Sequence, residues 1–545
     1  MAKFATKEPD VSRLLRRPDV TLNYEGGLAF IHDAKHTLAT TAACCLVNER
    51  AFYEDTTSRI DGLVRMVGKE DPEWLVKLAV YIRNKLHLRS MPTRIAAIAA
   101  TTPECHKHLL AGVSQILTRP DDVLEFAAML KDDRHGLSET LPSVAKKIIA
   151  GRLNELDEYR AIKYRRGESF GMKHLLKMSH PVPTERRQSL IFSYLLDHSK
   201  WPEMAEEDRV MIPKIAAYET LKRLPRKHCQ KARHIVREHA LPWELVMAIL
   251  GSDREAWKTI APVMPIMALT RNLRNLVKSG ALRSPAVRCA VIEKLSNPDA
   301  IRNSKMLPFR WFSARNALQE LMKKPEHWPD AETALRLDEA LNRAIEISME
   351  CLPRWTGRTA IACDLSGSMS FETISQYSSI YPVDIACILS AIAHRLCDDH
   401  VIYAFGSDIA RFSLDPSQGI LANTERVKKT DVGHATYGYK VIEDLVKHRD
   451  SVGRIVILTD MELYGESWFP QDSQDIISWI ARYKREVNPD VELYFVNLAA
   501  YGHFVTPQRE PKVTYISGWS EGMLKYVAAT SSGFDLVGTI GEMTM

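Results

Sequence analysis

The hydrophobic pattern changes its period once, around Arg354-Trp355-Thr356-Gly357-Arg358, and that change restricts the chain to two different architectures in series. Before it, apolar residues recur at helical spacing. In Trp74-Leu75-Val76-Lys77-Leu78-Ala79-Val80-Tyr81-Ile82-Arg83 they fall on one face of an amphipathic helix. Similar patterns occupy Val123–Leu130, Val144–Leu153, Ser189–Leu196, Trp243–Leu250, Val287–Leu295 and Leu335–Met349, with Asp or Ser often just ahead and Pro at many boundaries, including Pro72, Pro120, Pro242 and Pro298. The spacing predicts a stack of helical hairpins over residues 1–355, with no strand. After the break, short apolar runs at Thr359–Cys363, Val401–Phe405, Arg454–Thr459, Leu493–Val496 and Val513–Ile516 alternate with helical stretches at Val383–Leu396, Tyr439–Lys447 and Ile476–Glu486. Such alternation predicts a doubly wound α/β domain with a mostly parallel sheet over 356–545.

Composition excludes several classes. At 45% hydrophobic and 26% charged, the 545 residues are ordinary for a folded chain and wrong for a fibrous or disordered one. No apolar run approaches the roughly 20 residues that span a bilayer, and the N-terminal stretch lacks an apolar signal core. Nine cysteines without a Cys-x-x-Cys pair read as thiols in a reducing cytoplasm. From Thr356 onward 16 Lys and Arg face 24 Asp and Glu, whereas the preceding residues hold 57 against 44. A basic body therefore precedes an acidic domain, and only the body suits a polyanion.

Two groups of residues carry chemistry. Asp364-Leu365-Ser366-Gly367-Ser368 follows the first predicted strand of the α/β domain, where such folds bind ligands. One carboxylate and two hydroxyls on a turn suit a hard cation such as Mg²⁺, with further oxygens from Asp460 at a strand end and Thr436 in a loop. Ser-Gly-Ser also forms ordinary turns, and an Asp at a strand end often caps a helix. The second group is basic. Lys163-Tyr164-Arg165-Arg166 precedes Lys173, His174, Lys177 and His180. A further block runs from Lys222 to His239, and a third includes Arg271, Arg274, Lys278, Arg283 and Arg288. Any one block by itself reads slightly better as a solvated helix face; three in one helical stack favour RNA. No helix-turn-helix or zinc-finger pattern points to a DNA groove, and no catalytic triad order, phosphate loop or zinc motif points to an enzyme.

The oxygen-donor motif resembles the metal-ion-dependent adhesion site of von Willebrand factor A domains. That resemblance implies Mg²⁺ held by Asp364, Ser366, Ser368, Thr436 and Asp460, with an open position for a partner's carboxylate; the usual Gly-Gly-Thr reads His434-Ala435-Thr436 here. Most of the chain resembles the Ro ribonucleoprotein family, whose helical part is the TROVE module. The carriers are Lys163-Tyr164-Arg165-Arg166, His174–His180, Met264–Leu273, Pro308-Phe309 and the metal motif. The resemblance implies HEAT-like helical repeats over 1–355 closing into a monomeric ring, followed by an A-like domain over 356–545. It further implies small noncoding Y-like RNA on an outer basic surface and single-stranded 3′ ends of misfolded RNA in a central hole. The implied role is noncoding-RNA quality control, with bacterial members acting as adaptors for polynucleotide phosphorylase. By position, Lys163 and His180 match family residues for Y RNA, while Lys146 and Lys147 match basic residues facing the hole. The family's Arg four places beyond that Lys is Gly167, and Leu307 replaces a His before Pro-Phe. The competing expectation is a Mg²⁺-dependent protein scaffold that binds no RNA.

Overall fold

The computed structural model describes residues 18–23, 27–44, 56–131, 141–165, 171–225, 229–371, 373, 380–415, 417–464, 475–499, 502–508, 510–517, 523–524, 527 and 535–545. The chain forms two compact units, one comprising residues 92–351 and the other 1–91 together with 352–545.

In the 92–351 unit the described residues are helices joined by short turns. Side chains at the helix starts set the boundaries. Asp157, Asp253 and Asp330 each accept the backbone N–H of the residue three places on, at 2.7, 2.9 and 2.6 Å. Pro120, Pro213, Pro285, Pro298 and Pro308 open helices where their missing N–H costs nothing. Apolar faces then pair off. Helix Pro308–Met322 packs on Ala331–Ser348, Ile266–Lys278 on Pro308–Met322, and Ser143–Leu153 on Met172–Ser179. Buried carboxylates lock the turns. Glu158 accepts the N–H groups of Lys214 and Ile215 at 2.7 and 3.1 Å and also binds Arg187. Glu219 accepts the Tyr194 hydroxyl at 2.5 Å and Lys222 at 2.8 Å.

The other unit is built on a six-stranded sheet. Its strands are β3 (Trp355–Asp364), β4 (Cys397–Phe405), β5 (Ile409–Phe412), β6 (Arg454–Thr459), β7 (Glu492–Asn497) and β8 (Val513–Ser517), in the order β5-β4-β3-β6-β7-β8. Only the β4–β5 pair is antiparallel. Alternate residues face opposite ways. Ala360, Ala362, Ile455 and Ile457 join the core beneath helices Tyr439–Lys447 and Ile476–Glu486. Cys363, one residue out of phase, meets Cys387 of helix Pro382–Leu396, Sγ to Sγ 3.9 Å. Helices thus cover both faces, as the alternation of short strands and helices predicts.

The unit boundary near residue 355 falls at Leu352, and the described residues before Pro92 belong to the sheet unit rather than to the helical stack. A hairpin of β1 (Val20–Leu22) and β2 (Leu28–Phe30) exchanges backbone hydrogen bonds with Phe504 at 2.9 and 3.2 Å. His32 stacks on Phe504 with ring centres 3.7 Å apart and bonds the Thr506 carbonyl at 2.9 Å. Trp74 donates its indole N–H to the Val537 carbonyl at 2.9 Å. Three-residue strands carry too little alternation to register in a sequence, so the expectation of no strand before 355 failed there. The antiparallel edge strand β5 and helix Ile420–Lys428 also went unforeseen.

His32 supplies a test of this docking. Burial pushes its imidazole down to about 4, with the adjacent His36 adding to the effect and the Thr506 carbonyl opposing it. The unfolded chain protonates near the ordinary value of 6.5, so the unfolded state binds more protons as pH falls and stability is lost between these values. By pH 5 the loss from His32 is about 2 kcal/mol. Urea midpoints measured from pH 7 to 5 should fall, and His32→Phe should flatten that fall; an unchanged slope in the variant would remove His32 as its source.

Candidate cation site and nucleic-acid interface

The sheet's strand order reverses direction at β3, since the chain passes from β3 to β4 on one side and places β6 on the other. Open α/β sheets bind ligands at the carboxyl edge of such a point. Asp364 ends β3 and Asp460 follows β6, so the β3–β6 pairing sets the two carboxylates side by side. Asp364 accepts the Ser366 N–H at 2.9 Å and the Thr459 hydroxyl at 2.6 Å. The Ser366 and Ser368 hydroxyls lie 3.3 Å apart, and Ser368 also bonds Asp460. The Gly367 N–H donates to the His434 carbonyl at 3.0 Å, tying the Ser-Gly-Ser turn to the loop that carries Thr436. Thr436 donates to the Glu462 carbonyl at 2.7 Å. The structure therefore brings all five sequence-predicted residues to one edge.

Their chemistry fits a hard cation. Burial, then the Asp364 carboxylate, pushes the Asp460 carboxyl up to about 8; the Ser368 hydroxyl bond opposes that rise and Glu462 adds to it. Two buried carboxylates and three hydroxyl oxygens make a donor set that a divalent cation would neutralise. Among the described residues, no three His, Cys, Asp or Glu side chains converge as a metal-ligand group, so such a site depends on the hydroxyls. The sequence reading missed Glu462. It is fully buried, donates its N–H to Asp460 at 3.1 Å and accepts His503 Nδ1–H at 3.0 Å. The Asp-x-Glu spacing after β6 was the available signal.

The basic residues sort into three groups. Lys146, Lys147, Lys173, Lys177, His180, Arg271 and Arg274 are exposed and form no ion pair among the described residues. Lys146 and Lys147 lie on helix Ser143–Leu153, which packs on helix Met172–Ser179 bearing Lys173 and Lys177; His180 ends the latter with φ of 47°. Arg271 and Arg274 lie on Ile266–Lys278, a helix without an acidic residue. Lys163 differs. It pairs with Glu244 at 3.0 Å and lies over the Tyr159 and Tyr164 rings at 5.7 and 5.4 Å, so its charge is spent within the unit. Arg165 is half-buried, with one guanidinium nitrogen enclosed and without a hydrogen-bond partner among the described residues. Arg166 lies outside the described residues. In the second block Lys222, His234 and Arg233 are engaged by Glu219, Glu238 and the Lys258 carbonyl, while Arg223, Lys231 and Arg237 stay exposed.

A helical-repeat unit with exposed cations, joined to an α/β unit with an oxygen-rich carboxyl edge, defines the class. The TROVE domain family model matches residues 29–350, and the chain belongs to that family. Telomerase protein component 1 of Mus musculus is 25% identical over 337 residues, covering 52% of this chain and 12% of that protein. The RNA-binding protein RO60 of Deinococcus radiodurans is 22% identical over 354 residues, covering 64% of each. This chain thus spans less than two thirds of the length of either relative. The crystal structure of the Deinococcus radiodurans Ro protein shares the fold, with a TM-score of 0.67 at 17% identity over 91% of this chain and 99% of that one.

The crowding of carboxylates predicts an unusual substitution. In metal-free buffer at pH 7, Asp460→Asn keeps an oxygen for the Glu462 N–H and removes a buried acid whose raised pKa costs stability. It should stabilise the protein by about 1–3 kcal/mol in urea unfolding; destabilisation by a similar amount would contradict the reading.

Proposed function

We propose that this chain binds RNA through the 92–351 unit. The observation that carries the reading is the set of exposed cations on helices Ser143–Leu153, Met172–Ser179 and Ile266–Lys278 that form no ion pair among the described residues. Net charge supports it. Residues 92–351 hold 42 Lys and Arg against 32 Asp and Glu, whereas the unit containing the sheet holds 31 against 36. Phosphate contacts from mobile lysines give affinity that is steep in salt. The Deinococcus relative is named as an RNA-binding protein, which points the same way. On the family resemblance, the RNAs are a small structured noncoding Y-like RNA and misfolded RNAs with single-stranded 3′ ends. The role is then quality control as a non-enzymatic adaptor for an exoribonuclease, in a reducing cytoplasm.

The test uses the full chain and a structured RNA with a single-stranded 3′ tail, by fluorescence anisotropy across salt. Combined reversal of Lys146, Lys147, Lys173 and Lys177 to Glu should weaken binding at least tenfold and flatten the salt dependence. Lys163→Ala should instead leave affinity within about twofold while lowering stability by about 1 kcal/mol, because it leaves Glu244 unpaired. Equal affinity of the quadruple variant and the parent would refute the proposal.

We further propose that Asp364, Ser366, Ser368, Thr436 and Asp460 hold Mg²⁺, which supplies a Lewis-acidic position for a carboxylate of a protein partner. The buried, mutually repelling carboxylates support it. Millimolar Mg²⁺ should raise the melting temperature by a few degrees through binding to the folded state alone. Asp364→Ala should abolish that increment; an equal increment in the variant would place the ion elsewhere.

A further inference from the structure

Helix Ile266–Lys278 carries an amide among its exposed cations. At the helical pitch, Arg271, Arg274, Asn275 and Lys278 fall within one face about 100° wide. All four are exposed, while Leu269, Leu273, Leu276 and Val277 on the other side are buried. The helix has no acidic residue, and the three cations form no ion pair among the described residues. Arg271 precedes Asn275 by one turn and Lys278 follows it by nearly one, so positive charge flanks the amide on both sides along the helix.

The amide is held in a fixed orientation. Asn272 donates its side-chain N–H to the Ala268 carbonyl, four residues back, at 2.9 Å. With its nitrogen on a backbone acceptor, Asn272 turns its Oδ1 toward Asn275 and accepts that residue's Nδ2–H at 3.0 Å. The backbone carbonyl thus sets the polarity of the first amide, and the first sets that of the second. Asn275 keeps its Oδ1 and a second N–H, which no other group engages among the described residues.

A phosphate is met by charge alone, and a further Lys or Arg would serve it. An oriented acceptor beside a donor matches the edge of a nucleobase instead. Asparagine pairs with adenine in this way, accepting from the N6 amino group and donating to the adjacent ring nitrogen. Guanine shows two acceptors, N7 and O6, on the corresponding edge. Uracil and cytosine can meet an amide but offer a smaller ring to the neighbouring guanidinium planes. The base must be unpaired, because the deep, narrow major groove of an RNA duplex keeps its base edges from side chains.

We propose that this face reads an unpaired adenine of the bound RNA, its edge on Asn275 and the flanking phosphates on Arg271, Arg274 and Lys278. The inference rests on the RNA-binding reading above and adds a base preference to it.

The test is fluorescence anisotropy of the full chain with oligoadenylate, oligouridylate and oligocytidylate of equal length at one salt concentration. Oligoadenylate should bind at least fivefold more tightly than the other two. Asn275→Leu, a good helix former at an exposed position, should remove that preference and leave the other two affinities within about twofold. Asn272→Leu, which frees the Asn275 amide to turn, should reduce the preference by about half. Arg274→Gln should weaken all three oligonucleotides alike and keep the preference. AMP at about 1 mM should leave the oligoadenylate complex intact. Equal affinity of the parent for the three oligonucleotides, a preference that survives Asn275→Leu, or displacement by AMP would overturn this inference and leave the RNA-binding reading standing. Failure of the parent to bind any of them would overturn both.

Discussion

The interior of this protein takes in carboxylates and leaves cations outside. Among the described residues Asp61, Asp122, Glu158, Glu219, Asp364, Asp384, Asp460 and Glu462 are buried, against only Arg83 and Arg94 of the lysines and arginines. A buried carboxylate survives when N–H or O–H donors surround it, and helix starts supply such donors readily. Asp122 accepts the Arg119 N–H at 2.9 Å, Asp384 accepts the Tyr381 N–H at 2.9 Å, and Glu158 receives two N–H groups from the start of helix Pro213–Arg223. Lysine has no equivalent use for these sites. Acids thus hold the helices in place, and the surface of the helical unit is more basic than its composition.

The same economy acts differently at the sheet. There the strand pairing, with Cys363 opposite Leu458, brings Asp364 and Asp460 together, and the Asp364 charge adds to the burial that pushes the Asp460 carboxyl up. The Thr459 hydroxyl donates to Asp364 and the Ser368 hydroxyl bonds Asp460. What remains is negative charge at the carboxyl edge, next to the loops that such folds use for binding. One unit exports positive charge; the other concentrates negative charge at one edge. On the proposals made above, polyanion and cation would occupy separate places.

Much of this was legible before the structure. The change of period near residue 355 located the sheet unit, and capping residues with prolines located most helix starts. Thr436 reaches the same edge although His434-Ala435 stands where the resemblance has glycines, because its loop is held by a backbone bond from Gly367 to the His434 carbonyl that any residue supplies. The failures have a common cause. Lys163 is neutralised by Glu244, 81 positions away, and only tertiary packing makes that pair. Arg165 is half-buried for the same reason. The β1–β2 hairpin is too short to show alternation, and its partner Phe504 lies at the other end of the chain. Glu462 resembles any acid in a loop until burial and His503 define it. Patterns local in sequence were readable, whereas charge compensation at long range was not.

The most direct test of the central claim is to locate the RNA on the protein by ultraviolet crosslinking of the bound complex and mass spectrometry of the crosslinked peptides. The account predicts adducts on peptides spanning 143–153, 172–180 and 266–278, with none around 364–368 or 460. Adducts confined to residues 352–545, with those helices unmarked, would contradict it.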